Sequence, residues 1–201
     1  MNERIAALTQ GIRSLEAELE VELARRRIEL NYVVDNGKVR FEQVMIARHR
    51  AAKTRTLDYI LTARPLMLVT APLIYALMLP LLVMDGFISV YQAACFPVYG
   101  IPKVSRADYF IYDRSHLAYL NFIEKLNCAF CSYANGLIRY VGEISSRTEQ
   151  YWCPIKHARR LTASHDRYGR FLDYGDAEAY VNGLAGVRDD LKKCAARDAP
   201  P

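Results

Sequence analysis

PLMLVTAPLIYALMLPLLVMDGFISVYQAACFPVYGI, residues 65–101, contains no Lys, Arg, Glu or His, and its only formal charge is Asp85. A bilayer core of roughly 30 Å takes about 20 apolar residues in a helix, because each residue advances only about 1.5 Å. Leu66 to Met84 meets that length. Asp85-Gly86 is a turn-forming dipeptide, and Phe87 to Ile101 follows as a shorter apolar piece carrying Ser89, Gln92 and Cys95. Residues 65–102 therefore read as a helical membrane hairpin. It is either two-pass, with Asp85-Gly86 near the far headgroups, or re-entrant from one side. Pro65, Pro72, Pro80, Pro97 and Pro102 each remove a backbone donor and kink such helices, a cost that membrane helices absorb through neighbours. The alternative is a buried helix pair in a large soluble core, where so long a run without a polar face is uncommon. Its place in the chain is not that of a cleaved signal peptide.

Charge gives the orientation, since Lys and Arg near membrane ends favour the cytoplasmic side. Lys38, Arg40, Arg48, Arg50, Lys53, Arg55 and Arg64 precede the stretch, and Lys103, Arg106 and Arg114 follow it. Both flanks, and with them both termini, are read as cytoplasmic. The 201 residues carry a formal charge of +5 and a pI of about 8.9. This mild excess sits mostly beside the apolar run, so the lipid bilayer is the expected partner, with anionic headgroups first. Nucleic acid is not expected, because no nucleic-acid motif is present and the basic residues form no separate domain. Five Cys without a secretory signal fit reduced thiols or a metal site better than a disulfide framework.

The arm before the membrane stretch, residues 1–64, reads as helical. Ile5, Leu8, Ile12, Leu15 and Leu19 alternate at spacings of three and four, the seam of a short coiled coil. Glu22 ends that seam. Residues 5–19 are thus a site for a protein partner or a second copy of the chain, or else a helix lying on the chain's own second helix. Asp35-Asn36-Gly37 breaks the pattern, either as a hairpin between residues 31–34 and 38–41 or as a turn between helices; the helix turn is favoured. Phe41 to Ala63 then resumes helical character and runs into Pro65. His49 belongs to the basic surface of Arg48 to Arg55.

Residues 103–175 hold the Cys- and His-containing region. Ser115 is placed to cap a helix through Leu126, Asn135-Gly136 to interrupt it, and Leu137 to Trp152 to form the next. Pro154 reads as the first residue of a further helix, 161–175 as loop, and 176–201 as a tail of two short helices, about 177–184 and 187–197. Residues 199–201 read as an unstructured end.

Cys128, Cys131, Cys153 and His157 supply C-x2-C and C-x3-H pairs, three thiolates and an imidazole of the kind that closes a tetrahedral zinc site. An iron–sulfur cluster is a weaker use of the same set, since the spacing matches no ferredoxin run. One magnitude opposes both. With a single bend at Asn135-Gly136 the two pairs miss each other by about 13 Å at about 1.5 Å per residue. The alternatives are small apolar packing residues, a common fate of free Cys, or a reactive thiol pair. Glu143 and Arg147, and Arg139 and Glu143, are spaced as surface ion pairs. No phosphate loop, nucleophile elbow or HExxH motif is present, so an enzyme is not the favoured reading.

SYANGLIRYVGEISSRTEQYWCPIKH, Ser132 to His157, resembles a block of uncharacterised bacterial membrane proteins. The resemblance covers about an eighth of the chain and implies no activity, cofactor or residue role. It is consistent with a bacterial inner-membrane location. The sequence thus leads to an all-α, membrane-anchored scaffold or assembly protein that binds a partner through cytosolic helices. The rival is a membrane-associated zinc, iron–sulfur or redox protein using the Cys3His set. Otherwise no cofactor is expected.

Overall fold

The computed structural model describes residues 3–35, 38–159, 161–162 and 164–194, with the backbone alone at 3, 5, 6, 9, 38 and 194. The described chain is mostly helical, in agreement with the all-α reading, with one two-stranded antiparallel pair. It divides into two compact units, Met1–Ala63 with Tyr112–Ala129, and Arg64–Ile111 with Phe130–Pro201.

In the first unit, α1 spans Glu3–Glu29. Leu8, Ile12, Leu15 and Leu19 of its seam are all exposed; the side chain of Ile5 lies outside the described residues. The helix turn favoured after it is not what forms. Instead β1 (Tyr32–Asp35) pairs with β2 (Lys38–Phe41), with Tyr32 opposite Phe41 and Asp35 opposite Lys38. Asn36 and Gly37 lie outside the described residues. The β-branched and aromatic character of both strands suits a ladder, and the Tyr32 and Phe41 rings meet across it at 5.5 Å between centroids. The expected single helix from Phe41 to Ala63 is two, α2 (Gln43–Ala51) and α3 (Thr56–Thr62).

The same unit receives chain from far along the sequence. The short 3-10 turn Asp113–His116 packs on β2. His49 stands edge-on between Phe41 (4.9 Å) and Tyr119 (5.0 Å). His49 is therefore a packing ring rather than part of the basic surface. Ser115 caps no helix. The next helix, α6 (Phe122–Trp152), starts instead at a reciprocal cap: the Asn121 side-chain oxygen accepts the Glu124 N–H at 3.0 Å, and the Glu124 carboxylate accepts the Asn121 N–H at 2.8 Å.

In the second unit, α4 (Pro65–Ala76) and α5 (Met78–Tyr99) meet at a one-residue joint, Leu77, and form one apolar rod of 35 residues. Asp85-Gly86 is not a turn but lies inside α5, so the described residues contain one helix long and apolar enough to cross a membrane, not two. The physical reason is tertiary. Asp85 finds its partners on other segments, and Gly86 faces open space.

The contacts of α5 with α6 advance in step. Asp85 meets Tyr133, Gln92 meets Tyr140, and Tyr99 meets Tyr151, so the two helices run parallel. Parallel helices need a return segment. Gly100, left-handed at φ 66°, turns the chain back, and residues 101–111 run as a strap along the α5–α6 pair. Phe96, Ile101, Val104, Leu137, Tyr140, Ile144 and Leu191 form the core beneath it.

Asn135-Gly136 does not interrupt α6. Gly136 is needed for another purpose: a Cβ there would stand 2.7 Å from the Tyr109 carbonyl oxygen of the strap. Pro154 starts no helix; the described residues between Trp152 and Ala177 are irregular apart from the turn Tyr168–Arg170 and a bridge between Ile155 and Leu172. The tail is one helix, α7 (Ala177–Cys194), rather than two. Residues 199–201 lie outside the described set.

Candidate functional site

The apolar rod has two faces with opposite chemistry. On the inner face of α5, Leu81, Met84, Ile88, Tyr91 and Phe96 pack into the core, and Asp85, Ser89 and Gln92 turn the same way. Asp85 accepts a two-pronged contact from Arg106, with Nη2 to Oδ2 at 2.9 Å, and a further bond from the Tyr133 hydroxyl at 2.9 Å. Arg106 also lies over the Phe110 ring, 4.4 Å from its centre. One turn on, Ser89 donates to Asp85 at 3.3 Å.

Gln92 is buried, and its amide is used at both ends. Its oxygen accepts the Val104 N–H at 2.7 Å, and its nitrogen donates to the Tyr140 hydroxyl at 2.8 Å and the Val104 carbonyl at 3.3 Å. A buried strap has backbone groups that must be paired, and α5 supplies the partner. From α6, the buried Arg147 donates to the Pro102 carbonyl at 2.8 Å and the Lys103 carbonyl at 3.3 Å.

Arg147 also donates to Glu143 at 2.7 Å, and Arg167 reaches the same carboxylate oxygen at 2.7 Å. The chain continues inward, from Arg167 to Gln150 and from Gln150 to the Val187 carbonyl of α7 at 3.0 Å. Burial acts to raise the pKa of Glu143, but Arg167 and Arg147 outweigh it and hold the carboxyl below its ordinary value. Burial, aided by the Glu143 charge, pushes the Tyr109 phenol up. His165 sits beside Glu149 at 3.0 Å, with its ring against Phe171. Glu143 and Arg147 are thus parts of an interior clamp on strap and tail. Arg139 remains exposed.

The outer face is entirely different. Leu79, Val83, Phe87, Val90, Ala94 and Val98 follow one another at spacings of three and four, and all are exposed. On α4 the apolar side chains other than Ala71 and Tyr75 are exposed as well. Leu66, Val69, Leu73, Leu79, Phe87, Val90 and Val98 are each between 68% and 77% exposed. Patches of a few hundred Å2 are the usual limit for a monomer in water. In the most apolar stretch of the rod no residue is fully buried, whereas the core helix of a soluble protein is mostly buried.

The basic flanks Arg48, Arg50, Lys53, Arg55, Arg64, Lys103 and Arg106 are all exposed, although Arg106 is also tied to Asp85. The Cys3His set is not brought together. Cys131 lies on α6 with Cys128 one turn before it, while Cys153 follows the last residue of the same helix. The 22 residues from Cys131 to Cys153 correspond to about 33 Å along an α-helix. The His157 ring stacks on Tyr168 instead, at 6.3 Å. Among the described residues no three His, Cys, Asp or Glu side chains are grouped as a metal site would require.

Sequence reasoning missed the roles of Gln92, Tyr109, Tyr133, Gln150 and Arg167. One signal was present: Asp85, alone in an apolar run, demands a partner. No family model, curated protein or solved structure matches the chain.

Proposed function

We propose that the chain is a membrane-anchored scaffold or assembly protein, attached through α4 and α5 and binding a protein partner through its remaining helices. The observation that carries this reading is the uninterrupted exposed apolar surface of the rod. Lipid is the solvent such a surface fits, and the exposed basic residues beside it suit anionic headgroups. Both termini lie on the cytoplasmic face of a bacterial inner membrane. The partner, or a second copy of the chain, docks on the seam of α1, where Leu8, Ile12, Leu15 and Leu19 are exposed. The zinc, iron–sulfur or redox alternative rests on sequence spacing alone.

Two readouts test this. In cell fractions the full chain should stay with membranes through high salt and leave only with detergent. A photo-crosslinker at Leu15 should trap one discrete protein, and the trap should fail in Ile12→Asp. Salt-released chain contradicts the anchor, and absence of any crosslink contradicts the scaffold.

A further inference from the structure

The membrane attachment proposed above leaves open how the rod meets the bilayer, and four observations bear on it. The first is length. At about 1.5 Å per residue the 35 residues of Pro65–Tyr99 extend about 52 Å, against a hydrocarbon core of roughly 30 Å. The outer stripe runs on to Val98 with no polar residue to mark a far headgroup layer. The second is sidedness: Asp85, Ser89 and Gln92 all face the strap and α6, so α5 is apolar on one flank and protein-bound on the other.

The third is connectivity. The chain before α4 and the chain after α5 build one unit, where β2 packs on the turn Asp113–His116 and His49 meets Tyr119. Because the strap returns along α5, a rod crossing the bilayer would draw the strap's exposed Lys103, Ser105 and Arg106 into the hydrocarbon. The fourth is backbone chemistry. Pro72 and Pro97 lie inside the helices and each removes an internal hydrogen bond. Both prolines are exposed, away from neighbouring helices that could satisfy the freed carbonyls; there water at the headgroup level serves and hydrocarbon does not.

We propose that α4 and α5 lie along the surface of an anionic bilayer and enter only its near leaflet, with the outer stripe in the acyl chains. An interfacial helix sinks its apolar face about 5–10 Å into that boundary. Arg64 and Lys103, exposed at the two ends of the rod, then both meet headgroups of the same leaflet. The occupant of the stripe is lipid rather than a second copy, because the basic residues at both ends attract anionic headgroups and would repel their counterparts on another copy.

Depth-resolved quenching tests the geometry. The chain has one tryptophan, Trp152, so Leu68→Trp, Phe87→Trp and Val98→Trp are each placed in a Trp152→Phe background, all at exposed positions. The full-length variants are bound to vesicles of phosphatidylcholine and phosphatidylglycerol carrying brominated chains, with bromine either near the headgroup or near the bilayer centre. All three positions should be quenched alike, and most strongly by the shallow bromines. Strong quenching by the deep bromines at Phe87 but only shallow quenching at Leu68 and Val98 would show a crossing rod. That result overturns this proposal while leaving the anchor intact. Chain that neither floats with vesicles nor is quenched overturns both. Tryptophans shielded in a stable dimer without lipid would assign the stripe to a second copy and overturn the proposal.

Discussion

Asp85, the sole formal charge of the apolar rod, is held from within the fold by Arg106, whose Nη2 stands 2.9 Å from Oδ2 across 21 residues of sequence. Tyr133 and Ser89 complete its shell. The pair fixes which face of α5 turns inward and which is left outside. Arg106 is 45% exposed, so water screens the attraction. Asp85→Asn is expected to cost about 1 kcal/mol, and Arg106→Ala about the same. Urea unfolding in a double-mutant cycle should give a combined loss smaller than the sum, because the two changes break one contact.

Two glycines of α6 respond to alanine with opposite signs. Gly136→Ala places a methyl 2.7 Å from the Tyr109 carbonyl oxygen, and the strap must move. The overpacking costs about 1–3 kcal/mol, more than the helix-propensity gain of about 1 kcal/mol. Gly142→Ala meets nothing within 4 Å and should stabilise by about 1 kcal/mol. Thermal unfolding of the two variants beside wild type checks the contrast.

The Glu143 clamp makes stability depend on acid. Because its pKa is held below the ordinary value of 4.5, the folded state binds this proton less readily than the unfolded state. Its contribution is complete above about pH 4.5 and is lost as the pH falls through the folded pKa. Glu143→Gln, which leaves two buried guanidinium groups without their carboxylate, should cost about 3 kcal/mol at neutral pH. The urea midpoint of the variant should then fall less on acidification than that of wild type. An equal fall in both would remove Glu143 from the acid response.

Gln92 is the buried side chain that pairs the strap backbone at Val104 on both its N–H and its carbonyl. Gln92→Leu keeps the size and abandons those groups, at a cost of about 2 kcal/mol. Amide hydrogen exchange at Val104 should accelerate in the variant more than exchange in α7.

Much of this was legible in the sequence, for physical reasons that also explain what was not. The run from Leu66 to Met84 reads as apolar helix because its composition suffices, and α1 as helix because three-and-four spacing is local. Asp85-Gly86 and Asn135-Gly136 misled, since turn-forming pairs were read without their distant partners. Arg106 draws Asp85 into a helix contact, and the Tyr109 carbonyl claims the missing Cβ of Gly136. Asp35-Asn36-Gly37 misled the other way, where cross-strand pairing of Tyr32 with Phe41 outweighs a helical reading. The Cys and His spacing suggested a metal because it presumed a bend that α6 does not make. Gln92, Gln150 and Arg167 carry no local signature, as their partners lie on segments remote in sequence.

The anchor itself is tested most directly by flotation of the full chain with sealed phosphatidylcholine–phosphatidylglycerol vesicles at high salt, beside a Leu73→Asp, Phe87→Asp double variant. Both positions are exposed, at 73% and 76%, so the variant should fold as wild type does by circular dichroism. Wild type should float with the vesicles and the variant should remain in the dense fraction as a soluble monomer. Wild-type chain that stays soluble and monomeric beneath the vesicles would contradict a membrane-anchored protein.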